Sequence, residues 1–177
     1  MSGVDVRPPE LPPSELVTHP GCAECLDTVG WLLSVDRAHR RTGDVTAYGL
    51  SWVFDHFRWG PTRWPAAWCD LPTAEFVDCG VLAHLCAVVL GARGVACDRL
   101  QLVEPATAAQ TRLWRGRWES AGSGTDWILT DHFVYHESLT LHTASGPRDF
   151  DTTELREIDP HDEVVWIRRW PGDWVGV

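Results

Sequence analysis

Residues 76–95, FVDCGVLAHLCAVVLGARGV, predict the central helix of this fold. From Val81 onward the apolar residues cover nearly all sides of a helix, which indicates a buried helix from Cys79 to Arg93. Gly94 fits the left-handed position that closes such a helix. Cys79 lies at its start, where the positive end of the helix dipole favours the thiolate, the nucleophilic form of cysteine. The stretch therefore predicts a central helix that carries a reactive thiol.

Helical patterns precede this stretch and strand patterns follow it. Apolar residues recur at helical spacing from Cys22 to about Arg41, with Gly43 and Asp44 as the expected end, and a short helix or turn is expected over 48–57. Beyond the central helix the apolar period changes to two, which predicts strands at 97–104, 112–118, 126–137, 139–142 and 163–170. Helices first and antiparallel strands afterwards indicate an α+β domain whose sheet packs on the central helix.

Length and charge narrow the class of protein. The 177 residues suggest one domain over 21–177, preceded by a flexible proline-rich segment over 1–20. The net charge of -10 argues against nucleic acid as a partner, because phosphate binding needs basic surfaces. No segment offers the roughly 20 apolar residues that span a bilayer, so no membrane partner is expected. The first residues lack the pattern of a signal peptide, and a cytoplasmic location is expected.

Three residues supply the parts of a cysteine-based catalytic site. Cys79 is the candidate nucleophile, His132 the candidate base and Asp151 the candidate group that orients the base. Backbone amides at the helix start can stabilise an oxyanion. His136 competes with His132 because both share one strand face, and His142 is a further competitor. Asp149 is the alternative acid, and a merely packed core cysteine is the alternative for Cys79.

Three short motifs resemble those of the transglutaminase-like superfamily of papain-like cysteine enzymes. They are DCGVLAHL at 78–85, HFVYHE at 132–137 and DTT at 151–153, where Thr152 replaces the proline usual in the family. In order and spacing they are similar to the cysteine, histidine and aspartate motifs of that superfamily. The resemblance covers about residues 76–153.

The resemblance implies a papain-like fold and acyl transfer through a thioester, with Cys79, His132 and Asp151 as the triad. It also implies an indole donor near the oxyanion, from Trp59 or Trp68 of the tryptophan-rich loop at 58–72, which also holds Trp64. The acyl group would pass to water or to an amine, and no metal or organic cofactor is needed. The expected substrate is a small peptide or a carrier-bound intermediate. A non-catalytic member of the fold that binds a peptide or a protein is the alternative.

A second cysteine motif lies near the N-terminus. His19, Cys22 and Cys25 offer three zinc ligands, while a closed structural site needs four. The fourth ligand would have to come from His39, His56 or Cys69. Because no obvious neighbour completes the tetrahedron, we expect no structural zinc here, and a pair of small residues opening a helix is the simpler interpretation. A redox pair and a small zinc-binding module are the alternatives.

Overall fold

The computed structural model describes residues 6–41, 46–159 and 164–177. It contains four α-helices: α1 (Ala23–Arg40), α2 (Trp52–His56), α3 (Cys79–Ala92) and α4 (Ala108–Ser120). Two 3₁₀ helices cover Thr46–Gly49 and Trp68–Thr73. The predicted helices at 22–41 and 79–93 are confirmed, although Gly43 and Asp44 lie outside the described residues. No helix within the described ranges is long and apolar enough to cross a bilayer.

The strands form one large antiparallel sheet and one small parallel pair. The pair joins β1 (Arg58–Trp59) to β2 (Phe76–Val77). The large sheet is built from β3 (Cys97–Pro105), β4 (Phe133–Thr143), β5 (Gly146–Asp151), β6 (Arg156–Glu157), β7 (Trp166–Arg169) and β8 (Val175–Gly176). Its spatial order is β6-β5-β4-β3-β7-β8, and every neighbouring pair is antiparallel. The α+β class is confirmed.

The main core lies between α3 and the sheet. Leu82 and Leu85 of α3 belong to the same buried cluster as Leu139, Leu141 and Phe150 of the sheet. Burial of each such side chain contributes about 1.5–3 kcal/mol to the stability of the fold. This interface therefore holds α3 against the sheet. The other sheet face carries a smaller cluster built around β3 and β7, with Leu100, Leu102, Ile158, Val164 and Ile167.

Two predicted strands are corrected. Residues 112–118 belong to helix α4, not to a strand, and the helix begins with a capping box between Thr107 and Gln110. The polar–apolar alternation there also fits a helix, in which Trp114 and Trp118 lie one turn apart. Residues 126–132 form turns, and the strands predicted at 126–137 and 139–142 are the single strand β4. The strand predicted at 163–170 starts at Trp166, and Glu163 lies outside the described residues.

The N-terminal segment, residues 6–20, is extended and docked on the domain. Val17 forms a parallel bridge with Ala67, and Leu16 is buried in the main core. The Leu11 carbonyl accepts a hydrogen bond from Gln101 of β3 at 2.9 Å, and the Pro9 carbonyl accepts one from Trp174. Prolines hold this backbone extended, so it can lie along the domain with its carbonyls available to side-chain donors.

Candidate active site

Cys79 is the first residue of α3, and the cap of that helix fixes its position. Asp78 Oδ1 accepts a hydrogen bond from the Val81 amide at 3.0 Å, the usual cap of an N-terminus. Asp78 Oδ2 accepts a second hydrogen bond from Trp64 Nε1 at 2.6 Å. The Asp78 amide donates to Thr62 Oγ1 at 2.8 Å. The tryptophan-rich loop therefore contacts the residue that immediately precedes the thiol.

Gly80 has a specific steric reason to follow Cys79. A Cβ built on Gly80 would lie 2.7 Å from Ser14 Cβ and 2.9 Å from Ser14 Oγ, closer than side chains approach one another. The N-terminal segment passes over the start of α3 at this point. The Cys-Gly pair therefore combines a partly buried thiol with room for a chain segment beside it.

His136 of β4 is the histidine beside Cys79. Both residues line one cavity, and each shifts the pKa of the other: the imidazole acts to lower the pKa of the thiol, and the thiol acts to raise the pKa of the imidazole. His136 Nε2 lies 3.3 Å from Asp151 Oδ1, at the end of β5. The same carboxylate oxygen accepts hydrogen bonds from the Thr153 amide at 2.6 Å and the Thr153 hydroxyl at 2.7 Å. The structure thus brings a thiol, an imidazole and a carboxylate into one chain of contacts, with Cys79 and Asp151 as predicted members.

His132 is not brought to this site, which corrects the predicted base. It is exposed, in the turn that precedes β4, and its amide donates to Thr130 Oγ1 at 3.1 Å. The strand begins one residue later, at Phe133, and His136 pairs with Leu102 in the ladder to β3. Which of the two histidines belongs to the strand therefore depends on where β4 begins. Three strand residues, 133–135, separate His132 from the histidine that lines the cavity with Cys79.

The other two alternatives are occupied elsewhere. His142 lies near the far end of β4 and its Nε2 is 2.9 Å from Asp98 Oδ2. Asp149 is buried, accepts a hydrogen bond from Thr140 at 2.6 Å and forms an ion pair with Arg169. Both contacts are structural and neither involves Cys79.

The protonation tendencies of the three groups follow from their surroundings. Burial opposes charge on His136, but Glu104 and Asp151 outweigh it and raise its pKa well above the usual value. Burial also opposes charge on Asp151, yet His136 and the Thr153 hydrogen bonds hold its pKa well below the usual range. The imidazolium and the carboxylate are therefore a stable charged pair.

The thiol behaves differently from the expectation based on the helix dipole. Burial raises the pKa of Cys79 above its usual value, and Asp78 and Glu137 add to the rise. His136 acts in the opposite direction through its hydrogen bond and its charge. Desolvation and the two carboxylates outweigh the effect of His136 on the pKa of the thiol. The resting group is therefore a thiol with an imidazolium beside it.

A cavity of about 640 Å³ opens beside these residues. One wall is aromatic: the rings of Trp59, Trp114, Trp118 and Trp127 lie with centroids 5.0–6.4 Å apart. Carboxylates also line it, and these are Asp78, Glu104, Asp126, Glu137, Asp151 and Glu154. Among the described residues that line the cavity, His136 is the one with a basic side chain. The cavity thus suits groups that are apolar, aromatic or positively charged.

Glu137 connects the cavity to the N-terminal segment, and the sequence analysis missed it. Its buried carboxylate pairs with Arg99 at 2.6 Å. It also accepts hydrogen bonds from the Ser14 amide at 2.9 Å and the Ser14 hydroxyl at 2.7 Å. Pro9, Leu11 and Ser14 consequently line the cavity. A charged residue inside the apolar run of β4 was the available signal.

The tryptophans of the loop at 58–72 have different surroundings. Trp59 belongs to the aromatic wall of the cavity, whereas Trp68 is buried and packs edge-on against His84 at 5.3 Å between ring centroids. Trp64 lines the cavity, but its N–H is used by Asp78. Of the two candidates for the indole donor, Trp59 is therefore the one that lines the same cavity as Cys79.

A second cluster could hold a metal. One ligand atom from each of His19, Cys22, Cys25 and Cys69 lies within 4.8 Å of the others. Cys69 lies close enough to His19, Cys22 and Cys25 to complete a set of four, contrary to the expectation that no neighbour does so. All six cysteines of the chain are free thiols.

Comparisons with known proteins provide no independent assignment. The function proposed for the site therefore rests on its geometry. Neither a protein-family model, nor a curated protein, nor a solved structure matches this chain.

Proposed function

We propose that this protein is a cysteine-dependent enzyme that transfers or hydrolyses acyl groups through a thioester on Cys79. The single observation that carries the proposal is the chain of contacts from Cys79 to His136 to Asp151 at the edge of a cavity. A nucleophile, a base and an orienting acid in contact are the parts that covalent catalysis requires. The proposal includes a papain-like, transglutaminase-like ancestry, with His136 in place of His132.

Before acylation the Cys79 thiol loses its proton to solvent, and the reactive form is the thiolate beside the His136 imidazolium. The sulfur attacks the carbonyl carbon of an amide or activated acyl group, a C–S bond forms, and the carbonyl oxygen takes the negative charge. Backbone amides at the start of α3 are the nearest fixed donors for that oxygen. The intermediate collapses, the C–N or C–O bond breaks, and His136 gives its proton to the leaving group.

In the second step His136 is neutral and acts as a base. It takes a proton from water or from an amine, whose oxygen or nitrogen attacks the thioester carbon. The C–S bond breaks and the Cys79 thiolate returns beside the imidazolium. Asp151 holds the ring orientation in both steps and stabilises the charge on the imidazole.

The alternative is a binding site without turnover, and one observation favours it. The raised pKa of Cys79 makes the nucleophilic form a minor species at neutral pH. A protein that only binds a peptide or a small molecule would retain the cavity and would need no thiolate. The two candidates differ in whether Cys79 forms a covalent bond with an acyl donor.

The first prediction concerns that bond. Incubation with a small activated ester or thioester should add one acyl mass to the protein, localised by peptide mapping to Cys79. The matched variants are Cys79→Ala and Cys97→Ser, since Cys97 is another half-buried thiol, on β3. We expect the adduct to disappear in the first variant and to remain in the second. Equal acylation of Cys79→Ala and wild type would contradict the proposal, and stable non-covalent binding alone would favour the binding module.

A further inference from the structure

We propose that His19, Cys22, Cys25 and Cys69 form a structural zinc site. These four residues are the thiols and imidazole at the junction of the N-terminal segment, α1 and the 3₁₀ helix Trp68–Thr73. Three cysteines and one histidine are a common ligand set of closed, tetrahedral zinc sites. The proposal is independent of acyl transfer, because it concerns a different set of side chains.

The geometry fits a tetrahedral ion. With zinc bonds of about 2.3 Å to sulfur and about 2.0–2.1 Å to nitrogen, tetrahedral ligand atoms lie about 3.5–3.8 Å apart. Cys69 Sγ lies 3.8 Å from His19 Nδ1, and all four ligand atoms lie within 4.8 Å of one another. A contraction of about 1 Å at the widest pairs would close the tetrahedron.

Local structure brings three of the ligands together. The Cys22 amide donates to the His19 carbonyl at 3.0 Å, which closes a tight turn, and Gly21 has the positive φ of 74° that the turn needs. Cys25 follows in the first turn of α1 and is fully buried. A tight turn that runs into a helix, with ligands three residues apart, is a common way to present two cysteines to one ion.

Tertiary structure supplies the fourth ligand. Val17 and Ala67 form a parallel bridge, and the Trp68 amide donates to the Val17 carbonyl at 3.1 Å. This pairing brings Cys69 to His19 although the two residues are 50 positions apart. The convergence of three thiols and an imidazole from two distant segments is what a zinc site requires. A disulfide would use two of the thiols and leave His19 without a role.

The site would tie the tryptophan-rich loop to the N-terminal segment. That loop reaches the start of α3 through the contact between Trp64 and Asp78. Zinc binding in a small domain contributes folding free energy directly, because the unfolded chain does not hold the ligands in place. Removal of the ion should therefore lower the melting temperature of the whole domain.

The test uses the full-length protein as purified under reducing conditions, with elemental analysis per mole of protein. We expect about one equivalent of zinc in the wild type and in Cys97→Ser, and a loss of most of it in Cys69→Ser. A strong chelator should lower the melting temperature of the wild type, and added zinc should restore it. Wild-type protein that holds no zinc, and takes up none when zinc is added to the reduced chain, would overturn the proposal.

A second measurement needs no variant, which matters if Cys69→Ser fails to fold. The native protein is treated with a thiol-alkylating reagent before and after chelation, and the modified cysteines are mapped by mass spectrometry. We expect Cys22, Cys25 and Cys69 to be protected until the chelator is added and then to react together. Alkylation of Cys22 and Cys69 at the same rate with and without chelator would contradict a metal site. A reducible Cys22–Cys25 bond in fresh protein would also contradict it.

Discussion

At the scale of single residues, His136 is the centre of the candidate site because it contacts both of the other members. Its Nε2 lies 3.3 Å from Asp151 Oδ1, and its hydrogen bond and charge act to lower the pKa of the Cys79 thiol. Glu104 adds a second carboxylate to its surroundings. An imidazole with two acidic neighbours keeps its proton readily, which fits the proposed role of proton donor to a leaving group.

The second prediction compares two histidines of the same motif. His136→Asn should reduce the rate of Cys79 acylation by about 10²–10⁴-fold, the usual contribution of general acid–base catalysis. His132→Asn should leave it within a factor of about two, because that side chain is exposed and precedes the strand. The measurement is the single-turnover rate of the acyl adduct by mass spectrometry, with thermal unfolding as a check on folding. A larger effect of His132→Asn than of His136→Asn would contradict the assignment.

The third prediction concerns pH. Since burial raises the pKa of Cys79, the thiolate fraction in the folded protein should grow as pH rises from neutral to alkaline. Alkylation of Cys79 by iodoacetamide should therefore accelerate with pH. His136 lowers the pKa of this thiol, so His136→Asn should move the same rise to higher pH, whereas His132→Asn should not. A rate at Cys79 that does not change with pH, or a shift to lower pH in His136→Asn, would contradict this electrostatic account.

At the scale of elements, the contact between α3 and the N-terminal segment determines the shape of the site. Gly80 permits the approach of Ser14, and Glu137 of β4 receives the Ser14 amide and hydroxyl. Arg99 of β3 donates to the Ser14 carbonyl at 2.8 Å and pairs with Glu137. One helix and two strands thus hold a segment that has no regular structure of its own.

The fourth prediction uses two glycines of the same helix. Gly80→Ala should destabilise the domain, by about 1–3 kcal/mol, because the new methyl group would collide with Ser14. Gly91→Ala should stabilise it by about 0.5–1 kcal/mol, because nothing lies within 4 Å of a Cβ there and alanine favours the helix. Urea unfolding of both variants measures the two signs. Equal effects would show that the N-terminal segment does not press on α3.

The elements also show where sequence patterns suffice. Helix α3 could be predicted because its apolar residues extend around the whole cylinder, which only a buried helix allows. Helix α4 was missed because LWRGRW at 113–118 satisfies both a strand period and a helical stripe. The capping box of Thr107 and Gln110 was the deciding signal.

The site was predictable in part for a related reason. Cys79 and Asp151 follow from local motifs, one at a helix start and one at a turn after a strand. The choice between His132 and His136 depends on where β4 begins, and that depends on its pairing with β3. Cys69 meets His19 only through the bridge between Val17 and Ala67. Such pairings between distant segments do not show in the pattern of apolar residues of either segment.

At the scale of the whole molecule, the cavity concentrates acidic side chains in a protein whose net charge is already negative. Six carboxylates line it, and the net charge of the chain is -10. Several are used in capping or pairing, as with Asp78, Glu137 and Asp151. The aromatic wall offers ring faces that attract cations. The cavity should therefore discriminate among acyl donors by charge.

The fifth prediction tests that discrimination. Thioesters of equal length with a terminal ammonium, a methyl or a carboxylate group should acylate Cys79 in the order ammonium, methyl, carboxylate. The acylation rate with the ammonium thioester should exceed that with the carboxylate thioester by more than about tenfold at low salt. The ratio should decrease as salt is added. Single-turnover rates at two ionic strengths give the answer. Faster acylation by the carboxylate donor would show that the acidic side chains do not face the bound acyl group.

The cavity is built from residues as early as Pro9 and as late as Glu154. A ribosome makes the chain from its N-terminus, so Cys79 leaves the exit tunnel before His136 and Asp151 have been added. A nascent chain that stalls between those points carries the thiol without its base and without the strand that positions it. The proposed catalytic site is therefore completed late in synthesis. On the proposed mechanism, an incomplete copy of this protein would lack the base and the complete cavity, and it would not turn over an acyl donor.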